Sequence, residues 1–304
     1  MTKEKTLPDF LIVGAAKAGT TSLFYYLEEH PEIFLPKIKE PKYFMSKILN
    51  LPQNGKGDDL THELMIKSQT DYFRLFSSKS STQICGEASV DYLYYSRDVI
   101  PLIKENIGLP KIIIVLRDPT IRAFSAYKHL IRDVRENETF EEGLKLEDHR
   151  IKSNYEFIWH YKKAGLYYEN VKDYIEAFPN VKVIIFEEFI NNTQNTLKEL
   201  YSFLGVDSEF TPLLKKKYNV TGKPKSKALQ KLLKGSPNIW LRKVLKKTFN
   251  EKTRSFMREK LEGFNISNYN QVMEKHTKQM LIDYYKDDKK KLEQLLEIKL
   301  KNWS

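Results

Sequence analysis

The segment Phe10-Leu-Ile-Val-Gly-Ala-Ala-Lys-Ala-Gly-Thr-Thr-Ser22 decides the fold class of this 304-residue chain. Its apolar start predicts a buried strand, and the glycines and hydroxyl residues that follow predict a turn opening a helix. Backbone N–H groups at a helix N-terminus, with a lysine nearby, suit a terminal phosphate or a similar oxyanion. The segment therefore predicts an anion-binding loop for a nucleotide-like ligand.

The position of the lysine distinguishes this loop from that of the nucleoside triphosphatases. In the pattern G-x-x-x-x-G-K-[ST], the lysine directly precedes the hydroxyl residue that binds magnesium. Here the order is Gly-x-x-Lys-x-Gly-Thr-Thr, so Lys17 lies inside the loop. This spacing weakens the case for a kinase. An ordinary glycine turn between a strand and a helix is the alternative interpretation of the segment taken alone.

A second strand, turn and helix are predicted at Lys111-Ile-Ile-Ile-Val-Leu-Arg-Asp-Pro119. The unbroken apolar run is typical of a strand buried on both faces of a parallel sheet, and proline suits a first helical position. Arg117 then lies at the carboxyl end of the strand, where ligands of open α/β sheets bind, and Ser125 lies about two turns into the helix. In the alternative interpretation, Arg117 pairs with Asp118 or a helix-end carbonyl. Two anion sites at neighbouring strand ends predict a ligand with phosphate at both ends.

A third segment completes a resemblance to a known family. Lys39-Glu-Pro-Lys-Tyr-Phe44 is similar to the Lys-Glu-x-x-Phe-Phe element of heparan sulfate N- and 3-O-sulfotransferases, in which the glutamate is the catalytic base. The first loop resembles the 5′-phosphosulfate loop of sulfotransferases that use 3′-phosphoadenosine 5′-phosphosulfate (PAPS), and the second resembles their 3′-phosphate site. The resemblance runs from about Asp9 to the end of the chain.

The resemblance implies a role for each of these segments. Glu40 takes a proton from the acceptor, Lys17 neutralises the leaving phosphate, PAPS is the co-substrate and 3′-phosphoadenosine 5′-phosphate (PAP) is the product, and no metal is required. The residues implied at the 5′-phosphosulfate are Lys17, Ala18, Gly19, Thr20, Thr21 and Ser22. Those implied at the 3′-phosphate are Arg117, Ser125, Lys223 and Lys225.

Glu40 is a candidate general base on physical grounds as well. It lies among lysines, whose ammonium groups favour an ionised carboxylate, provided that desolvation does not outweigh them. An ionised glutamate can accept a proton from a hydroxyl or an amine at neutral pH. The alternative interpretation is a solvated Lys-Glu patch with no catalytic role.

The segment Gly86-Glu-Ala-Ser-Val-Asp-Tyr92 departs from the family pattern. The heparan sulfate enzymes carry a lysine close to the transferring group where this chain has Ala88. Either another lysine such as Lys42 supplies the charge, or the acceptor and its geometry differ. Glu87 and Tyr92 are candidates to line the acceptor cleft with Lys42, and burial at a strand end is the alternative for both.

The whole chain reads as one α/β domain over residues 1–304, with a P-loop-like parallel sheet flanked by helices on both faces. Residues 213–304 hold 24 of the 51 Lys and Arg but 9 of the 40 Asp and Glu, and they predict a basic loop followed by basic helices at about 240–258 and 278–300. Strands are predicted at about 10–14, 33–35, 83–87, 111–116 and 181–186. Helices are predicted at about 20–29, 119–135, 165–178 and 191–204.

Composition limits the other functions and partners. No apolar run is long enough to span a membrane, no signal peptide precedes the first strand, and the single Cys85 fits a reducing compartment, so a cytoplasmic protein is expected. Golgi members of the family that the chain resembles are membrane-anchored and often disulfide-bonded, so the resemblance implies a bacterial version. The basic C-terminal third attracts anions in general, but no nucleic-acid motif is found and no nucleic-acid partner is expected. The expected acceptor carries a hydroxyl or an amine, with a glycan among the candidates. Two other functions stay open: an ATP-dependent kinase with Asp118 as its acidic residue, and a non-catalytic binder of anionic polymers.

Overall fold

The computed structural model describes residues 6–213, 223–226, 228–230, 261, 264–267 and 271–304. Its centre is a five-stranded, all-parallel sheet with the strand order β2-β3-β1-β4-β5. The strands are β1 (Phe10–Gly14), β2 (Ile33–Phe34), β3 (Ile84–Ala88), β4 (Lys111–Leu116) and β5 (Val181–Ile185). Because β1 is central and pairs with both β3 and β4, the loops after these three strands lie side by side.

Helices connect the strands and flank the sheet, which confirms the predicted α/β class. The helices up to β4 are α1 (Thr20–Glu28), α2 (Met45–Ile48), α3 (Asp58–Leu64), α4 (Gln69–Arg74) and α5 (Ser96–Asn106). Those after β4 are α6 (Pro119–Arg132), α7 (Phe140–Lys145), α8 (Glu147–Lys152), α9 (Tyr168–Ala177), α10 (Phe186–Asn191), α11 (Thr193–Leu204) and α12 (Lys275–Leu296). A short antiparallel pair, β6 (Lys223–Pro224) and β7 (Ile266–Ser267), completes the described elements.

The start of α6 shows why its boundary could be predicted. Pro119 is the first helical residue, and the Asp118 side chain caps the helix by accepting a hydrogen bond from the backbone N–H of Thr120 at 2.8 Å. The helix ends at Arg132, three residues before the predicted end at 135. The N-terminal boundary is set by local chemistry, whereas apolar periodicity alone predicted the end.

Helix α12 packs on the rest of the molecule. Its Leu281 and Tyr285 lie in a core beneath α6, while Leu292 joins the main core around the sheet. The helix predicted at about 240–258 lies outside the described residues, so the interpretation of residues 1–304 as one domain stays a prediction. None of the helices in the described ranges is both long and apolar enough to cross a membrane.

Candidate active site

The loop after β1 turns tightly before α1. Ala15 N–H donates to Val115 O at 2.7 Å, which ties the start of the loop to β4. Lys17 and Gly19 both have left-handed backbone conformations, with φ of 69° and 86°. A Cβ atom at Gly19 would lie 2.6 Å from the Phe186 ring, so this position needs glycine for space as well as for its backbone angle. The turn from the loop into α1 therefore requires glycine at position 19.

Lys17 is the cation of this loop, and its environment makes it unusually easy to deprotonate. Burial and, to a smaller extent, the Arg132 guanidinium lower the pKa of Lys17 to about 7. The carboxylates of Asp133 and Glu40 act in the opposite direction. An anionic ligand next to the ammonium would restore its charge, because a negative group favours the protonated form.

Arg117 joins this loop to the one after β4. Its Nη1 donates to Lys17 O at 3.1 Å, and its guanidinium lies 4.6 Å from the centroid of the Phe186 ring. Its Nε is buried and has no hydrogen-bond partner in the described part of the chain. Tyr167 OH donates to Arg117 O at 3.0 Å and fixes the backbone at this point. An orphaned guanidinium N–H beside the first loop is what an oxyanion of the ligand would satisfy.

The alternative interpretation of Arg117 as a partner of Asp118 does not describe the structure. Besides capping α6, the Asp118 carboxylate accepts a hydrogen bond from Ser304 N–H at 2.7 Å. Its own backbone N–H donates to Glu187 Oε1 at 3.2 Å. Glu187 in turn accepts from Trp303 Nε1 at 2.9 Å. Asp118 and Glu187 therefore hold the C-terminal residues against the turn that carries Arg117.

The remaining predicted phosphate contacts are arranged along α1 and α6. Ala18 is buried, Thr20 begins α1 as a buried residue, and Thr21 and Ser22 are half-buried in its first turn. Ser125 is half-buried on α6, and no hydrogen bond engages its hydroxyl within the described ranges. The first turn of α1 and the second turn of α6 thus carry the candidate hydroxyl groups.

Lys223 and Lys225 lie at the edge of what the structure describes. The backbone of Lys223 belongs to β6, which lies against α6. Lys225 is exposed and donates its backbone N–H to Asn265 O at 2.6 Å. The other residues of the predicted basic loop 215–227 are largely outside the described ranges, so its contact with a 3′-phosphate stays a prediction.

The candidate base lies on a constrained arch formed by residues 39–44. Glu40 and Lys42 both have left-handed backbones, with φ of 60° and 51°. Glu40 N–H donates to Ala88 O at 2.9 Å, and Lys42 N–H donates to Ser89 Oγ at 3.1 Å. The arch is therefore docked on the carboxyl end of β3, beside the loop of Lys17 at the end of β1.

The Glu40 carboxylate is held by two ammonium groups. Its Oε1 lies 2.6 Å from Lys39 Nζ, and its Oε2 lies 4.0 Å from Lys42 Nζ. Burial raises the pKa of Glu40, but the attraction of Lys39 and Lys42 outweighs burial and brings it below the ordinary value. Glu40 is consequently an ionised carboxylate at neutral pH, which is the state that a proton acceptor needs.

Lys42 has more carboxylate partners than the sequence suggests. Its Nζ lies 3.1 Å from Asp91 Oδ2 and 3.3 Å from Glu156 Oε1. Burial lowers the pKa of Lys42, but Asp91, Glu156 and Glu40 together raise it well above the ordinary value. Its charge is thus already balanced, in contrast to a lysine that faces a transferring group alone.

The sequence did not reveal the network behind Lys42. Glu156 Oε2 accepts from Arg135 Nη2 at 2.9 Å, and Arg135 also pairs with the buried Asp58. Asp58 accepts from Trp159 Nε1 at 3.0 Å. These residues come from loops that carry no recognisable motif, and only their convergence in space identifies them.

Glu87 and Tyr92, predicted as acceptor contacts, do not face a cleft. Both side chains are fully buried. Ser89 Oγ donates to Glu87 Oε2 at 2.8 Å and Tyr72 OH donates to Glu87 Oε1 at 3.2 Å, while Tyr92 OH accepts from Phe44 N–H at 3.3 Å. The interpretation as acceptor contacts is corrected accordingly, because buried and bonded groups leave no surface for an acceptor.

Two cationic loops thus lie at neighbouring strand ends, with an ionised carboxylate on an arch beside them. Within the described residues, no three or more His, Cys, Asp or Glu side chains are grouped to hold a metal ion. The chain belongs to the sulfotransferase domain family, whose model matches residues 7–280. This finding confirms the resemblance to PAPS-dependent sulfotransferases.

Solved and curated relatives agree with this assignment. The crystal structure of a sulfotransferase from Alicyclobacillus acidocaldarius is 32% identical, with a TM-score of 0.76 over 98% of this chain and 99% of that one. Human bifunctional heparan sulfate N-deacetylase/N-sulfotransferase 2 is 29% identical over 223 residues, or 70% of this chain and 23% of the relative. Membrane-associated sulfotransferase kil1 of Dictyostelium discoideum is 30% identical over 133 residues, or 44% of this chain and 25% of the relative. The chain thus spans about a quarter of the length of these two curated relatives.

Proposed function

We propose that this protein transfers the sulfuryl group of PAPS to a hydroxyl or an amine of a carbohydrate or small-metabolite acceptor. Glu40 acts as the general base, and Lys17 stabilises the leaving phosphate. One observation carries the proposal: the arch of Glu40 is docked on the carboxyl end of β3, directly beside β1, whose following loop carries Lys17. A proton acceptor and a cation for the leaving group are the two parts that such a transfer needs.

The residues of the two loops fit a nucleotide with phosphate at both ends. The α1 N-terminus and Lys17 would hold the 5′-phosphosulfate, while Arg117 and Ser125 would hold the 3′-phosphate. The buried, unpartnered Nε of Arg117 supports this assignment. When bound, PAPS supplies an activated sulfuryl group with a phosphate as its leaving group. Lys17 and Arg117 then provide fixed positive charge, and Glu40 accepts the proton of the attacking group.

A carbohydrate acceptor is supported by the relatives. Carbohydrate sulfotransferase 15 of Homo sapiens is 23% identical over 254 residues, or 66% of this chain and 44% of the relative. The absence of a lysine at Ala88, and the balanced charge of Lys42, favour an acceptor geometry different from that of the heparan sulfate enzymes.

The kinase alternative has less support. It requires Asp118 to hold magnesium, but this carboxylate already caps α6 and binds the backbone of Ser304.

Calorimetry compares PAP, without metal, with ATP and magnesium. We expect PAP to bind, and Arg117→Ala to weaken it by about 1.5–3 kcal/mol, the value of a charged hydrogen-bond partner. Arg97→Ala, at an exposed arginine, is the matched control. Magnesium-dependent binding of ATP with no binding of PAP would overturn the proposal.

The role of Glu40 is tested with radiolabelled PAPS and a panel of desulfated, N-deacetylated and neutral polysaccharides. Glu40→Gln should lower sulfate transfer by about 100-fold or more, the usual contribution of a general base, while PAP affinity stays within about twofold. Glu188→Gln, at an exposed glutamate after β5, is the control. Undiminished transfer by Glu40→Gln would exclude Glu40 as the base. A non-catalytic polymer binder would bind the polysaccharides and transfer nothing.

A further inference from the structure

Glu87 is a buried carboxylate that the proposed chemistry does not use. It is fully shielded from solvent at the carboxyl end of β3, directly before the residues that dock the arch 39–44. It accepts hydrogen bonds from Ser89 Oγ at 2.8 Å and from Tyr72 OH at 3.2 Å. The Tyr92 hydroxyl also lies beside this carboxylate and stabilises its charge. A buried carboxylate with several hydroxyl donors organises the groups around it.

Two of these hydroxyls also contact the arch. Ser89 Oγ accepts the backbone N–H of Lys42 at 3.1 Å, and Tyr92 OH accepts the backbone N–H of Phe44 at 3.3 Å. A hydroxyl has one proton to donate and lone pairs to accept with. When that proton points to Glu87, the lone pairs are free for the arch. Through Ser89, Glu87 thereby fixes the direction of the contact with Lys42 N–H.

We propose that Glu87 is a positioning residue: through the hydroxyl of Ser89, it holds the backbone of the arch at Lys42 and thereby aims the Glu40 carboxylate. The inference rests on the proposed role of Glu40. The arch needs such support because Glu40 and Lys42 both have left-handed backbones, a conformation that costs free energy for residues with a Cβ atom.

The arch also has anchors that do not involve Glu87. Glu40 N–H bonds to Ala88 O, and Ile66 N–H bonds to Pro41 O at 2.9 Å. Removing the carboxylate charge at Glu87 should therefore loosen the arch without unfolding the protein. Glu87→Gln is the suitable change, because the amide keeps the shape but its nitrogen can only donate. When the amide oxygen stays with Tyr72 and the nitrogen faces Ser89, the Ser89 hydroxyl can no longer donate to residue 87, so its bond to Lys42 N–H loses its fixed direction.

Two measurements test this inference. At pH 8, above the Glu87 pKa of about 7, amide hydrogen exchange followed by NMR should show Lys42 exchanging roughly fivefold to tenfold faster in Glu87→Gln than in wild type, the effect of losing one hydrogen bond. Release of sulfate from PAPS, with water as acceptor, should slow by about tenfold or more, since small misplacements of a catalytic group have large effects on rate. PAP affinity, which depends on the other loops, should stay within about twofold of wild type by calorimetry.

Matched variants separate positioning from general destabilisation. Tyr72→Phe removes a hydroxyl that bonds to Glu87 but to no backbone group of the arch, so exchange at Lys42 and Phe44 and the rate of sulfate release should not change. Ser89→Ala should accelerate exchange at Lys42 and leave Phe44 protected. Unchanged exchange at Lys42 in Glu87→Gln, or equal effects of Glu87→Gln and Tyr72→Phe, would overturn the inference.

Failure of the proposed function gives a different result. Wild-type protein that neither binds PAP nor releases sulfate from PAPS would refute the sulfotransfer proposal and the aiming of Glu40 with it. Faster exchange at Lys42 in Glu87→Gln would in that case still show that Glu87 holds the arch. Normal PAP binding and normal sulfate release in Glu87→Gln would refute the positioning role while leaving the proposed function intact.

Discussion

The binding of PAP should depend on pH through Lys17. Burial lowers the pKa of this lysine to about 7, so half of the free protein carries the ammonium at pH 7 and about 1% carries it at pH 9. If the phosphates of the ligand bind the ammonium form, affinity should fall about 50-fold between these two values, or ~2.3 kcal/mol. The sign follows from linkage: the ligand raises the pKa of Lys17, so binding takes up a proton and weakens as protons become scarce.

Calorimetry can measure this effect directly. Titrations at pH 7, 8 and 9, in buffers with different ionisation enthalpies, give the affinity and the number of protons taken up. We expect about half a proton at pH 7 and nearly one at pH 9. Lys17→Arg keeps its charge throughout this range and should bind PAP with little dependence on pH. A flat affinity profile in the wild type with no proton uptake would refute the reasoning, because Lys17 would then be charged before the ligand arrives.

Two further predictions concern backbone space and burial. Gly19→Ala should lower both the free energy of unfolding and the affinity for PAP by about 1–2 kcal/mol beyond the effect of Gly108→Ala. Both glycines have a positive φ, but only a Cβ atom at Gly19 would meet the Phe186 ring. Equal losses for the two variants, in thermal unfolding and in calorimetry, would show that the ring moves aside. Burial raises the pKa of Glu87 to about 7, so its neutral form is favoured on folding, and about 3 kcal/mol of stability should be lost as pH rises from about 4.5 through 7. Glu87→Gln should not show that loss in urea unfolding at pH 5 and pH 8, whereas the same loss in both proteins would mean that other groups cause it.

Local sequence chemistry was sufficient for the sheet and the two loops. The run Lys111–Leu116 is a strand with the predicted bounds, and Pro119 is the first residue of α6 as predicted. The loop after β1 could be recognised because a strand, glycines, a lysine and hydroxyl residues follow one another within a few positions. Such features depend on neighbours in sequence, and one chain is enough to detect them.

The surroundings of the candidate base could not be predicted in this way. Asp58 and the backbone of Glu156 are joined across 98 residues of chain, in regions whose helices are only six or seven residues long. Helices this short show little periodicity, so nothing in the sequence predicts that they come together. Glu87 is a separate case: a glutamate at a strand end looks alike in sequence whether it is buried or exposed.

The position of Phe186 differs from the prediction. The sequence predicts it as the last residue of β5, whereas it is the first residue of α10. Its ring occupies the space where a Cβ atom of residue 19 would lie, and it also packs against the Arg117 guanidinium. This ring and the hydrogen bond from Arg117 Nη1 to Lys17 O connect the two anion-binding loops, so that a shift of one loop displaces the other. Under the proposed function, a nucleoside 3′-phosphate and an inorganic oxyanion such as sulfate should therefore bind cooperatively, each raising the affinity for the other by the same factor.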